Sequence, residues 1–227
     1  MAKDSNPTAV KAGESTYLRI PIRTKIITRD DDIAAVADEF TRQHRREGDV
    51  IVVSESVVAV SQGRAIAEKD IKIGLLAKIL WRCVRKVPYG IGLRRPSSMQ
   101  CAINECGALR ILLASMVGGI TRLFGRRGDF YRIAGKQAAM IDAASTSPLQ
   151  PDCVILGPKD PDKEAEAIKK TTGCAAAVMD INDIGGSWVV GASSGVDRTT
   201  LEAVMKDNPM GQKTEQTPVC LVRKMPG

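Results

Sequence analysis

Apolar and polar positions fall into blocks along the chain, and the blocks predict a mixed α/β protein. Val50-Ile51-Val52-Val53 is a continuous apolar run, the pattern of a strand covered on both faces. Residues 153–156, 175–179, 188–192 and 219–222 also read as strands. Residues 17–22 predict a strand whose Pro21 suits a sheet edge. Residues 109–113 read as a further strand. Helical period appears between these runs. Ile33, Val36, Ala37 and Phe40 follow the capping-box pair Thr28 and Asp31, and their helix ends at Glu47-Gly48-Asp49. Ile73, Leu76, Ala77, Leu80 and Val84 make a stripe on a helix of roughly 16 residues. Its other face carries Lys72, Lys78, Arg82 and Arg85.

A shorter helix starts at Pro96 or Ser97 and stops at Gly107. Asp160-Pro161 opens another, with Asp as the cap and Pro in the first turn, and it closes near Gly173. Residues 201–205 lie in a last helix. Residues 87–96 read as a Pro/Gly loop, and the Gly- and Arg-rich segment 117–135 as hairpins or loops. The fold class is α/β with mixed sheets of the α+β kind. Residues 1–16 read as a flexible tail and 17–227 as one domain, with lobes near 17–135 and 136–227 as the alternative division.

Composition narrows the classes. The chain has 227 residues, 44% apolar and 26% charged, ordinary values for a globular protein rather than a disordered or collagen-like one. No apolar run reaches about 18 residues, so no transmembrane helix is expected. Residues 1–16 lack the apolar centre of a signal peptide, and the reading is a cytoplasmic protein with no membrane partner. The six cysteines, Cys83, Cys101, Cys106, Cys153, Cys174 and Cys220, form no CxxC pair and read as small buried hydrophobes. His44 is the single histidine, which argues against zinc and against histidine-driven nucleophilic catalysis. Carboxylates, a metal with oxygen ligands and bound phosphates are the better chemistry.

The net charge of +7 suggests an anionic partner: nucleic acid, acidic lipid or a phosphorylated small molecule. The arginines between 82 and 132 offer a nucleic-acid surface, yet aromatics are only 4% and no RNP, OB-fold or helix-turn-helix signature is present. No Walker A or GxGxxG motif is present either. The carboxylate of Asp180 stands at the exit of an apolar strand, followed by Ile181-Asn182-Asp183, where Mg²⁺ or Mn²⁺ could sit beside phosphate. The alternative reading is a plain Asp-rich turn. Gln62-Gly63-Arg64 could present N–H groups and a guanidinium to phosphate.

In order along the chain, several segments together resemble one family. They are Glu47 to Ser56 running on to Gln62-Gly63-Arg64, Ala134-Gly135 with Ile141-Asp142, and Leu156-Gly157-Pro158-Lys159-Asp160-Pro161-Asp162. Val178-Met179-Asp180-Ile181-Asn182 and Met210-Gly211-Gln212 with residues 217–223 complete the set. The pattern is similar to the coenzyme F420-0 gamma-glutamyl ligase family. The resemblance implies a ligase-like α/β fold forming an intertwined homodimer. It implies a GTP-dependent enzyme that adds L-glutamate to a phosphorylated deazaflavin acceptor through an acyl-phosphate, with Mg²⁺ or Mn²⁺. Mapped onto this chain, Asp142 and Asp180 would hold metal, with Gln212 at the position of a further ligand, and Asp183, where the family has Gly, could replace the lost carboxylate. Ser54, Ser56, Gln62, Gly63 and Arg64 would lie near nucleotide, and Arg110, Arg132, Lys159 and Asn182 near the acceptor. The sequence departs from the family pattern at Val60, where the family has Lys, at Ile181, where it has Thr, and at Gln212, where it has Glu. A related binding or scaffold protein without turnover is the second reading, and an RNA-binding protein ranks behind both.

Overall fold

The computed structural model describes residues 6–84, 92–126, 128–147, 150–183, 186–211 and 215–226. The chain separates into two compact units. The first joins residues 1–63 to 158–227, and the second is residues 64–157. The division considered near residue 135 falls inside the second unit.

The first unit is built on a six-stranded mixed sheet. Its strands are β1 (Thr8–Ala12), β2 (Ser15–Ile22), β3 (Val50–Ser54), β6 (Ala175–Asn182), β7 (Gly186–Ala192) and β8 (Val219–Lys224), in the order β1-β2-β8-β3-β6-β7. Only β3 and β6 run parallel. Thr8–Ala12 lies in the segment read as a tail, and it forms β1 by a hairpin through Gly13, whose φ of 60° suits glycine. Pro21 sits beyond the β1 pairing, which ends at Arg19, so β2 is locally an edge there although it is central lower down.

Alternation divides the core between the two sheet faces. Ile51, Val53, Ala176, Val178, Val219 and Leu221 pack with helices α1 (Ile33–Thr41), α2 (Glu55–Ser61) and α8 (Pro161–Thr172). Val52, Ala177, Met179, Cys220 and Val222 pack with α9 (Arg198–Met205). The expected capping box is used differently. Asp31 accepts from the N–H and hydroxyl of Thr28, closing a turn ahead of the helix. Asp32 is the cap, accepting from Ala34 and Ala35. The helix ends at Thr41, before the Glu47-Gly48-Asp49 stop. At α8 the backbone of Asp160 is left-handed and its carboxylate takes Lys163 rather than capping, while Pro161 holds the first turn as expected.

The second unit is mostly helical: α3 (Leu75–Leu80), α4 (Pro96–Cys106), α5 (Ala108–Leu123), α6 (Asp129–Ala134) and α7 (Lys136–Ala139), with strands β4 (Ala65–Ala67) and β5 (Cys153–Ile155) paired antiparallel. Its core gathers Ala77, Leu80, Met99, Ile111, Ala114 and Val154. The helix read over residues 72–86 is α3 followed by a 3₁₀ turn over Trp81–Cys83, and its last residues lie outside the described ones. Residues 87–91 of the expected loop also lie outside them.

Residues 109–113 form a helix rather than a strand, and α5 continues through much of the segment read as loops. The reason is tertiary. Gly118 lets α6 approach α5, since a Cβ there would stand 3.0 Å from the Cβ of Phe130. Of the cysteines, Cys101, Cys174 and Cys220 are buried, Cys106 and Cys153 half-buried and Cys83 exposed, all as free thiols. No single described helix is long and apolar enough to cross a membrane.

Candidate functional site

In the first unit, the parallel pairing of β3 and β6 puts Ser54 opposite Met179, so both strands finish at one end of the sheet. The chain leaves β3 directly into α2, and the Ser54 and Ser56 hydroxyls hydrogen-bond at 3.0 Å. Strand β6 continues further because β7 stays paired with it. Asp180 lies opposite Trp188, Ile181 opposite Ser187 and Asn182 opposite Gly186. Asp180 is therefore inside a strand rather than in a turn after it. Alternation places Asp180 and Asn182 on the face of Ala176 and Val178, the face that α2 also covers through Val58. Burial pushes the Asp180 carboxyl above the ordinary carboxylate range.

Around this strand end, polar side chains tie the family-like segments together. Asn182 accepts from the Gly186 N–H at 3.1 Å, closing the β6–β7 turn. Asp183 accepts from the Asn208 amide at 2.7 Å. Asn208 is buried, with φ of 50°, and its side-chain oxygen accepts from the Gly211 N–H at 3.1 Å. The Asp turn and the Met210-Gly211 turn thus meet through one asparagine. Gln212 lies outside the described residues. Asn208 was not singled out in the sequence, where the Asn208-Pro209 pair signals a turn and nothing more.

Gln62 is engaged within the unit. Its amide donates to the Lys159 carbonyl and to Glu164, each at 2.9 Å, and its oxygen accepts from the Lys159 N–H at 2.7 Å. This clasp fixes the end of α2 to the entry of α8. Gly63 turns the chain with φ of 68°. The Lys159 residue is exposed.

The second unit holds the other candidates. Arg64 is buried at 7% exposure, and its guanidinium donates to the Gly157 carbonyl at 2.5 Å, to Glu105 at 2.5 Å and to Gln137 at 3.4 Å. It secures the exit of β5 against α4 and α7. Asp142 bridges Ile155 through both backbone groups, at 2.8 and 3.0 Å, and Ile155 in turn pairs with Ala65. Arg64 and Asp142 therefore belong to one small sheet layer. Arg110 donates to the Ile133 carbonyl at 2.7 Å and lies over Gly135, where a Cβ would be 3.0 Å from it. Arg132 pairs with Asp129 at 2.7 Å, and Asp129 is held low first by the Thr121 hydroxyl and then by Arg132.

The structure thus brings Ser54, Ser56, Asp180, Asn182 and Asp183 to the β3–β6 end of the first unit. Gln62, Gly63 and Lys159 lie in that unit too, at the α2–α8 clasp. Arg64, Arg110, Arg132 and Asp142 belong to the second unit. Among the described residues, no three His, Cys, Asp or Glu side chains converge as a metal cage. Glu105, Glu164 and Asn208 are the partners that sequence reasoning missed.

Comparison with known proteins adds the family. A search of curated proteins finds no match. The family model for F420-0:gamma-glutamyl ligase matches residues 21–197, more than three quarters of the chain. That span contains the β3–α2 segment, Asp142, the α8 joint and the Asp180 strand. On that match, the chain belongs to the F420-0:gamma-glutamyl ligase family.

Proposed function

We propose that this chain joins L-glutamate to the carboxylate of a phosphorylated deazaflavin acceptor, spending GTP. The observation that carries the reading is the family match over residues 21–197. The chemistry proceeds in two displacements. An acceptor carboxylate oxygen attacks the γ-phosphorus, the bond to the β-phosphate oxygen breaks, and GDP leaves. The glutamate amine then attacks the acyl carbon, loses a proton, and expels phosphate. Both steps depend on positioning and on cations at the phosphates more than on side-chain acid–base work. A chain with one histidine suits such a mechanism.

The donor set suits a hard divalent cation. Mg²⁺ keeps several waters and takes one or two carboxylates together with substrate phosphates, so it needs no all-protein cage. Asp180, a carboxylate placed at low polarity, gains most from a cation. Asp183, held by Asn208, stands three residues along on the same segment. Asp142, which lies in the second unit, is a further carboxylate of the family pattern. Bound metal would neutralise charge on the transferring phosphoryl group.

A second reading, a family member that binds without turning over, draws on three residues. Val60 is buried in α2 where the family pattern has Lys, and Gln62 and Arg64 spend their side chains on internal partners. Thermal shift with GTP, ATP and Mn²⁺ tests whether nucleotide binds. The expected result is a rise in Tm with GTP and Mn²⁺ together, reduced in Asp180→Asn. No shift with any nucleotide would sink the ligase reading.

A further inference from the structure

The first unit has three aromatic residues in its sequence, Tyr17, Phe40 and Trp188. Tyr17 packs against the core on the α9 side of the sheet, and Phe40 against the core on the other side. Trp188 does neither. Among the described residues it joins neither core, and it is 37% exposed on β7, the last strand of the sheet.

The register fixes where its indole stands. The Ser187 hydroxyl donates to the Glu202 carbonyl of α9 at 2.6 Å, and Val189 belongs to the core on that same side. Trp188, between them, faces the other way. It lies directly opposite Asp180, with Asn182 on the diagonal, paired to Gly186. Opposite side chains in an antiparallel pair stand about 5 Å apart at Cβ, and diagonal ones remain within reach of an aromatic ring. Helix α8 rests on β7 at Gly191, further along the strand. The indole is therefore beside Asp180 at the carboxyl end of the parallel pair β3 and β6, where open α/β sheets take their ligands. An apolar plate bordered by a few polar side chains is how such sites hold a flat ring.

We propose that Trp188 is the stacking platform for the planar deazaflavin ring of the acceptor. This inference rests on the ligase reading and assigns the ring-binding residue of that site. The deazaflavin, three fused rings ending in a conjugated dione, is electron-poor, and indole is electron-rich. That pairing is stronger than indole on the smaller, electron-rich guanine, the other flat ring of the reaction. A ring stacked there lies next to the carboxylate read as holding the cation, so one strand pair serves both ends of the acceptor's recognition.

Titration of the full chain with F420-0, following the deazaflavin's own fluorescence, tests this. In the wild type, binding is expected to quench that fluorescence, because indole at stacking distance donates an electron to the excited ring. Trp188→Phe keeps a flat plate, so its affinity should stay within about threefold while the quench is lost. Trp188→Ala should lose the quench and bind about tenfold more weakly. In turnover, the KM for F420-0 should rise by about the same factor, with kcat and the KM for GTP unchanged. The far-UV circular dichroism of both variants should match the wild type, since Trp188 lies outside both cores. An unquenched wild-type complex overturns the proposal and leaves the ligase reading standing, as does unchanged affinity in Trp188→Ala. Weakened GTP binding with F420-0 unaffected overturns it by giving the plate to guanine. A wild type that binds no F420-0 sinks the ligase reading, and the proposal falls with it.

Discussion

At the scale of single residues, burial decides which polar groups are structural and which are poised. Asp49 is buried and takes Arg223 through two bonds of 2.8 Å, so its charge is matched within the fold. Arg64 is matched in the same way by Glu105. Asp180 differs, since burial alone raises its carboxyl pKa above the usual 3.8. The sign for stability follows. Because the folded pKa lies above the unfolded one, Asp180 favours the fold below the unfolded pKa, and that contribution is lost as pH rises through the folded pKa. Asp180→Asn removes the ionisation. In metal-free protein, the Tm of Asp180→Asn relative to wild type should rise from near pH 4 toward neutrality, and then level off. Differential scanning calorimetry across that range checks this, and a Tm difference flat with pH would contradict it. Added Mn²⁺ should narrow the gap at neutral pH by stabilising the ionised carboxylate.

At the scale of elements, close approach fixes how α8 sits on the sheet. A Cβ on Gly191 would fall 2.3 Å from the carbonyl carbon of Pro161, so the first turn of α8 rests directly on β7. Asp162 and Glu166 of α8 then accept from the N–H groups of Ala192 and Ser194. Gly191→Ala should therefore destabilise by about 2–3 kcal/mol, lowering the chemical-denaturation midpoint. An unchanged midpoint would mean that α8 can shift freely.

Much of this level was legible in the sequence. The runs at 50–53, 175–179 and 219–222 are buried on both faces and carry no competing period. Pro161, Gly107 and Gly173 mark helix ends through backbone geometry that only local residues decide. What was illegible depended on distant contacts. Residues 109–113 look alike as strand or helix because α5 is apolar on its outer face as well as its inner one. The glycines at 118 and 119 read as loop because Phe130, which packs on Gly118, is remote in the pattern. In the site, Asp180 could be singled out by its place after an apolar run. The engagement of Gln62 by Glu164 and of Arg64 by Glu105 could not, since those partners are 102 and 41 residues away.

At the scale of the whole molecule, the second unit is a single insertion in the first. The chain leaves at Gly63 and returns at Pro158, and Gln62 bonds the main chain of Lys159 in both directions across that junction. Replacing residues 64–157 by a short Gly/Ser linker should leave the first unit folding cooperatively, with a single unfolding transition by circular dichroism. A molten, ANS-binding product would show that the six-stranded sheet needs the insertion. Arg19, Arg45, Arg64 and Arg223 are each matched to a carboxylate, so the net charge of +7 rests on the other basic residues. The central claim is amide formation. It is tested most directly by incubating the protein with F420-0, L-glutamate, GTP and Mn²⁺ and following the deazaflavin by mass spectrometry. The expected product is heavier by one glutamyl residue, with one GDP and one phosphate released per amide, and it is lost in Asp180→Asn. An unchanged deazaflavin under conditions where GTP and Mn²⁺ raise the Tm would contradict it.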